Sequence, residues 1–117
     1  MVAYNTAMVK QAAAGAADLV FKALADSGRR RLLDRLRVKG GLTLNRLCEG
    51  MNMSRQAVTK HLDQLEEAGL VETRRVGRER LHYLNAMPIH DIARRWIRPF
   101  EAGRLDALRS LKSQLEN

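Results

Sequence analysis

The side chains best suited to chemistry lie between Ser54 and Leu84, in the run SRQAVTKHLDQLEEAGLVETRRVGRERLHYL. Arg55, Gln56, Thr59 and Lys60 recur at spacings that share one helical face. Arginine can pair with the acceptor edge of guanine and glutamine with adenine, and a threonine methyl can meet the methyl of thymine. Lys60 suits a phosphate, and a helix start at Ser54 can offer amide hydrogens to another. His61 flanks this set on its apolar side and is expected to pack or to face a phosphate. Further on, Arg74, Arg75, Arg78 and Arg80 crowd a stretch whose acids are Glu72 and Glu79. Guanidinium groups bind phosphates and enter narrow minor grooves. The partner these clusters imply is double-stranded DNA.

Certain elements must position those residues. Val58, Leu62 and Leu65 form an inward stripe with Ala68 close to it, which turns the polar set outward, and Gly69 stops the helix. The acids at its far end, Asp63, Glu66 and Glu67, would orient the helix on DNA rather than let it lie flat. Upstream, Thr43 can cap a short helix with Leu44 and Leu47 inward, running out near Gly50. Met51 to Met53 is then a tight turn, and the two helices make a helix-turn-helix. From Leu70 the pattern alternates: Val71, Thr73 and Arg75 against Glu72, Arg74 and Val76. Gly77 marks a turn and Arg80 to Asn85 a return strand, so a hairpin follows the second helix as a wing. Its strands are short and need the helices for stability.

The remaining segments read as support. Val9, Ala13, Ala16, Val20 and Leu24 share a helical face, with Gly15 leaving open one helix or two pieces. Asp26 and Ser27 are N-cap types, Leu32, Leu33 and Leu36 a buried stripe, and Gly40-Gly41 an end. Pro88 suits the first turn of a last helix. Ile89, Ile92, Trp96, Ile97 and Phe100 form one stripe, and Leu105, Leu108, Leu111 and Leu115 a second, out of phase with it. Pro99 and Gly103 sit on the slip, where a kink or break is expected. Trp96, Ile97, Phe100, Leu105 and Leu108, with Val20 and Phe21, exceed what one small core needs. They are expected to form a dimer interface about a twofold axis; the alternative is a last helix folded back on its own domain.

With 117 residues the chain is expected to be a single domain: an N-terminal arm over 1–25, a DNA-binding core over 26–86 and a C-terminal arm over 87–117. The formal charge of +8 favours a polyanionic partner. Cys48 is the one cysteine, which excludes an intrachain disulfide and fits a reducing compartment. With no apolar run of spanning length and no signal-peptide core, the expected location is the cytoplasm, with no membrane partner. No Gly-rich phosphate loop, paired metal motif or Ser-His-Asp set is visible, so neither an enzyme nor a cofactor is expected. Ser54 and His61 are a helix cap and a helix residue.

The runs LADSGRRRLLDRL, LTLNRLCEGMNMSRQAVTKHLDQLEEAGLV and RRVGRERLHYLN resemble the ArsR-type winged helix-turn-helix repressors over about Asp18 to Asn85. The tail is similar to a subgroup without the metal-sensing motifs. The resemblance implies a mainly α fold of about five helices with a small antiparallel β-hairpin wing, dimerising through its terminal helices. It implies homodimers that bind operator DNA near their own promoter and repress it. It places Ser54, Arg55, Gln56, Thr59 and Lys60 where the family reads DNA, and Arg75, Gly77 and Arg78 in the wing. Where metal sensors carry a Cys-x-Cys pair, this chain has Thr43 and Asn45, and Cys48 alone makes no thiolate site. The leading expectation is thus a dimeric repressor on an inverted-repeat operator, with no metal and an unassigned inducer. The alternatives are redox sensing through Cys48 and a winged helix that binds protein.

Overall fold

The computed structural model describes residues 6–116, with side chains described from residue 15 onward. Helices α1 (Thr6–Leu24), α2 (Ser27–Val38), α3 (Leu44–Cys48) and α4 (Arg55–Glu67) precede a hairpin of β1 (Val71–Val76) and β2 (Glu79–Leu84). α5 (Met87–Ile92), a π-helical segment (Ala93–Ile97) and α6 (Arg98–Glu116) then run on as one rod. The described residues therefore hold five helical rods and a two-stranded antiparallel sheet. α1 passes through Gly15 as one helix. The side chains of Val9 and Ala13 lie outside the described residues.

Three starts predicted from cap chemistry are real. Asp26, Thr43 and Ser54 each accept a hydrogen bond from the backbone N–H three residues on, at 3.0, 3.3 and 3.0 Å. The stripes of α2 and α4 meet in one core: Leu32, Leu33 and Leu36 against Val58, Leu62 and Leu65, with Leu47, Met51, Leu70 and Val71. Burying such side chains contributes roughly 1.5–3 kcal/mol each. Val20 and Ala23 of α1 join them. This corrects the placing of Val20 in a dimer interface: it is spent inside its own chain.

Arginines of α2 tie the helical ends together. Arg29 donates to the carbonyls of Lys22 and Ala23, and Arg30 to that of Leu24, so the last carbonyls of α1 are satisfied across the corner. Arg35 donates to the carbonyls of Arg46, Leu47 and Glu49, and Arg31 to those of Gly50 and Met51. The turn from α3 to α4 is thereby fastened to α2. Asn52 there has φ 56°, a left-handed conformation that asparagine tolerates.

The hairpin pairs Val71 with Leu84 through Val76 with Glu79, leaving a two-residue Gly77–Arg78 loop. Gly77 has φ 62°, as the first position of a type II′ turn requires. An isolated bridge between Leu42 and His82 moors β2 to the loop after α2, and His82 Nδ1 lies 2.9 Å from the Leu42 carbonyl. Gly40 sits so near Tyr83 that a Cβ would meet its ring at 3.0 Å.

At Pro99 and Gly103, where a kink or break is expected, α6 is not broken and runs on as one helix. Instead the rod widens one turn earlier, where the Arg98 N–H bonds to the Ala93 carbonyl five residues back. Proline lacks the N–H that the preceding turn needs, and a π turn absorbs that loss. α6 projects from the body, with all of its residues exposed. The radius of gyration is 19.6 Å, against roughly 13 Å for a compact chain of about this length. No described helix is long and apolar enough to cross a membrane.

Candidate nucleic-acid interface

Burial of Val58, Leu62 and Leu65 turns Arg55, Gln56, Thr59, Lys60 and Asp63 to solvent as one strip along α4. The wing rises beside it. Between them runs an open groove of about 360 Å³ lined by Thr43, Asn45, Arg55, Thr59, Asp63 and Glu66 on the helical side and by Arg78, Glu79 and Arg80 on the wing. The polar start of α4 and the arginine tip of the hairpin thus border one groove. α6 contributes no residue to its lining.

Inside this arrangement the predicted residues divide. Ser54 caps α4 through Ala57 N–H. Thr59 donates its hydroxyl to the Arg55 carbonyl at 2.9 Å, leaving the methyl as its free group. Arg55 donates from Nη1 to Asn45 Oδ1 of α3. Gln56 and Lys60 stand in the exposed strip. His61 does not belong to it. It is half-buried behind the helix, with Nε2 3.8 Å from Asp26 and Nδ1 3.4 Å from Arg29. The same stripe that turns Lys60 outward turns the next residue towards α2.

The wing arginines divide too. The register puts Val71, Thr73 and Arg75 on one face with Leu84, His82 and Arg80, and Glu72 and Arg74 on the other with Tyr83 and Leu81. Arg74 lies over the Tyr83 ring at 5.8 Å, on the outer face and outside the groove. Arg75 and Arg80 are direct cross-strand partners, a like-charge pair that would repel. Arg80 is offset by Glu66 of α4, at 3.1 Å. So Arg80 and the acid read as an orienting charge form a strut between wing and helix. Arg78, in the loop itself, borders the groove with no protein acceptor among the described bonds.

Sequence reasoning missed Asn45, the Glu66–Arg80 strut and the α2 arginines. Each depends on groups distant in the chain, and no local pattern marks them. Thr43 and Asn45, the positions matched to metal-sensor cysteines, here cap α3 and bond Arg55. Among the described residues, no three His, Cys, Asp or Glu side chains converge as metal ligands. Cys48 is half-buried against the core.

Known proteins share this plan. A helix-turn-helix domain family matches residues 24–74. The HTH-type transcriptional regulator YuzN of Bacillus subtilis is 40% identical over 89 residues, 71% of this chain and 97% of the relative. An ArsR-like transcriptional regulator from Rhodococcus sp. RHA1 superposes with a TM-score of 0.66 at 30% identity, covering 85% of this chain and 92% of that one. The chain belongs to the ArsR-type helix-turn-helix transcriptional regulators. The transcriptional repressor SdpR of B. subtilis is a further relative of this ArsR-type chain, 36% identical over 73 residues, 62% of this chain and 79% of the relative. As an ArsR-type regulator it carries a helix-turn-helix DNA-binding domain with a hairpin wing, and its relatives are regulators of transcription rather than enzymes.

Proposed function

We propose that this ArsR-type regulator is a homodimeric repressor that reads an inverted-repeat operator and acts at its own promoter. The observation that carries the reading is the groove bordered by both the start of α4 and the wing tip. Arg55 and Thr59 in the groove and Gln56 on the adjoining α4 strip read base edges, while Arg78 at the groove, Lys60 on the strip and Arg75 on the wing strand neutralise phosphates. Ser54 presents the helix start. His61, Arg74 and Arg80 drop out of the contact set, because each is engaged with protein or lies outside the groove.

The dimer rests on the C-terminal rod. Trp96, Ile97, Phe100, Leu105 and Leu108 are all at least 49% exposed, and Phe21 of α1 stacks on Trp96 with ring centroids 5.7 Å apart. A contiguous apolar face of this length marks an interaction site. A twofold axis through it presents two α4 helices roughly 34–36 Å apart, one turn of DNA. The repressor relative supports the direction of regulation.

The test is selection of binding sites from random duplex DNA, with affinity followed against salt. The expected product is an inverted repeat bound by a chain pair. Arg55→Ala with Gln56→Ala should erase the preference, whereas Arg78→Ala should weaken all sequences alike and flatten the slope of log affinity on log salt by roughly one unit. A double variant that binds the selected repeat as well as wild type overturns the readout.

A further inference from the structure

Resting on that reading, we infer that Asn45 is a positioning residue for the recognition arginine, holding one edge of the Arg55 guanidinium so that the other is presented to a guanine. Arg55 opens α4 and is exposed. A free arginine there would sample many rotamers and lose that freedom on binding. Asn45, on the preceding helix of the helix-turn-helix, accepts a hydrogen bond from Nη1 through Oδ1. That leaves the Nε–Nη2 edge, a pair of parallel donors with the spacing of guanine O6 and N7. α3 is itself held in place, since Arg35 and Arg31 of α2 bond carbonyls from its last turn, Arg46 and Leu47, through Glu49 to Gly50 and Met51, and Leu47 packs with Val58 and Leu62 of α4 in one core. The anchor point for Arg55 is therefore rigid.

The chemistry of the anchor separates this contact from the strut on the other side of the groove. Arg80 is held by a carboxylate, Glu66, which cancels its charge. Arg55 is held by a neutral amide, which orients the guanidinium and leaves its full charge for the duplex. The Thr59 hydroxyl is also spent within the helix, on the Arg55 carbonyl. Two neighbouring reading side chains are thus set before DNA arrives.

The experiment is site selection from random DNA by wild type, Asn45→Ala, Asn45→Asp and Arg55→Lys, with salt titrations on the selected repeat. Asn45→Ala should lower the preference for guanine at one position of each half-site by roughly tenfold. The salt slope should not change, because no phosphate contact is lost. The same substitution in an Arg55→Lys background should have no further effect, which a loss of fold would not reproduce. Asn45→Asp, of the same shape, keeps the guanine preference while weakening all sequences through its added negative charge. In the free protein, the Arg55 Nε–H resonance should be sharp in wild type and averaged in Asn45→Ala. Full guanine preference in Asn45→Ala overturns the positioning role while leaving the repressor reading intact. If Arg55→Lys selects the wild-type sequence, the assignment of Arg55 and the role of Asn45 fall together.

Discussion

α4 and α6 carry the same kind of apolar spacing and meet opposite fates. In α4, Val58, Leu62 and Leu65 are no more than 3% exposed, whereas in α6, Leu105, Leu108, Leu111 and Leu115 are 53–79% exposed. Periodicity says that a face wants covering; it does not say by what. For α4 the cover is α2 and the hairpin of the same chain, so its polar face is left exposed, the surface proposed above to read DNA. For α6, no element among the described residues comes back to cover the stripe. A second copy is the cover proposed above.

The comparison breaks most sharply at Leu65, which is fully buried. Leu65→Ala should destabilise the chain by roughly 2–5 kcal/mol, the cost of a core cavity. Because the contacts it loses are within one chain, the loss measured by denaturant unfolding should be the same at low and high protein concentration. The matching substitution in the arm, Leu108→Ala, should cost roughly 1.5–3 kcal/mol per chain, and only where chains associate. Thermal midpoints at micromolar and at hundredfold higher concentration, with sedimentation of each sample, check this. A solvated arm would leave stability within about 0.5 kcal/mol of wild type and would show no dependence on concentration. That result would remove the partner from the α6 face and leave the α4 surface without its second half-site.

These two helices also show what the sequence makes legible. Elements defined by short-range chemistry were readable: the caps Asp26, Thr43 and Ser54, the inward stripe of α4, and the glycine turn of the wing. Each depends on residues within a turn of one another. What was not readable depends on groups brought together by the fold. Glu66 and Arg80 are separated by 14 residues and Asn45 and Arg55 by 10. Val20 and His61 illustrate the same limit from the other side. Their residue types suited an interface and a DNA face, but the packing of α1 and α2 drew both inward. Pro99 was placed correctly as a perturbation and one turn off in its effect, since a missing donor is felt at the carbonyl before it.

The smallest effect expected sharpens the comparison at the corner where the α1 arm enters the core. There Asp26 caps α2 while Arg29 and Arg30 close the end of α1, so one cluster governs how α1 meets the helix-turn-helix body. The carboxyl of Asp26 is held below its ordinary value of 3.8, chiefly by the Arg29 backbone N–H. Burial opposes this, and the charges of His61 and Arg29, with the Gly28 N–H, add to it. A carboxylate whose folded pKa is depressed contributes stability that is fully present above its unfolded value and is lost as pH falls through the folded one. Asp26→Ala should therefore cost about 1 kcal/mol at neutral pH, as the loss of a cap does. Asp26→Asn should recover most of that, since asparagine caps about as well, and it has no charge to lose. Urea midpoints from pH 7 down to pH 3 separate the two contributions. The advantage of wild type over Asp26→Asn should hold to about pH 4 and shrink below it. An advantage that stays constant through that window would mean that the ionised carboxyl is not what fastens the corner, and that the arm is held by the arginines alone.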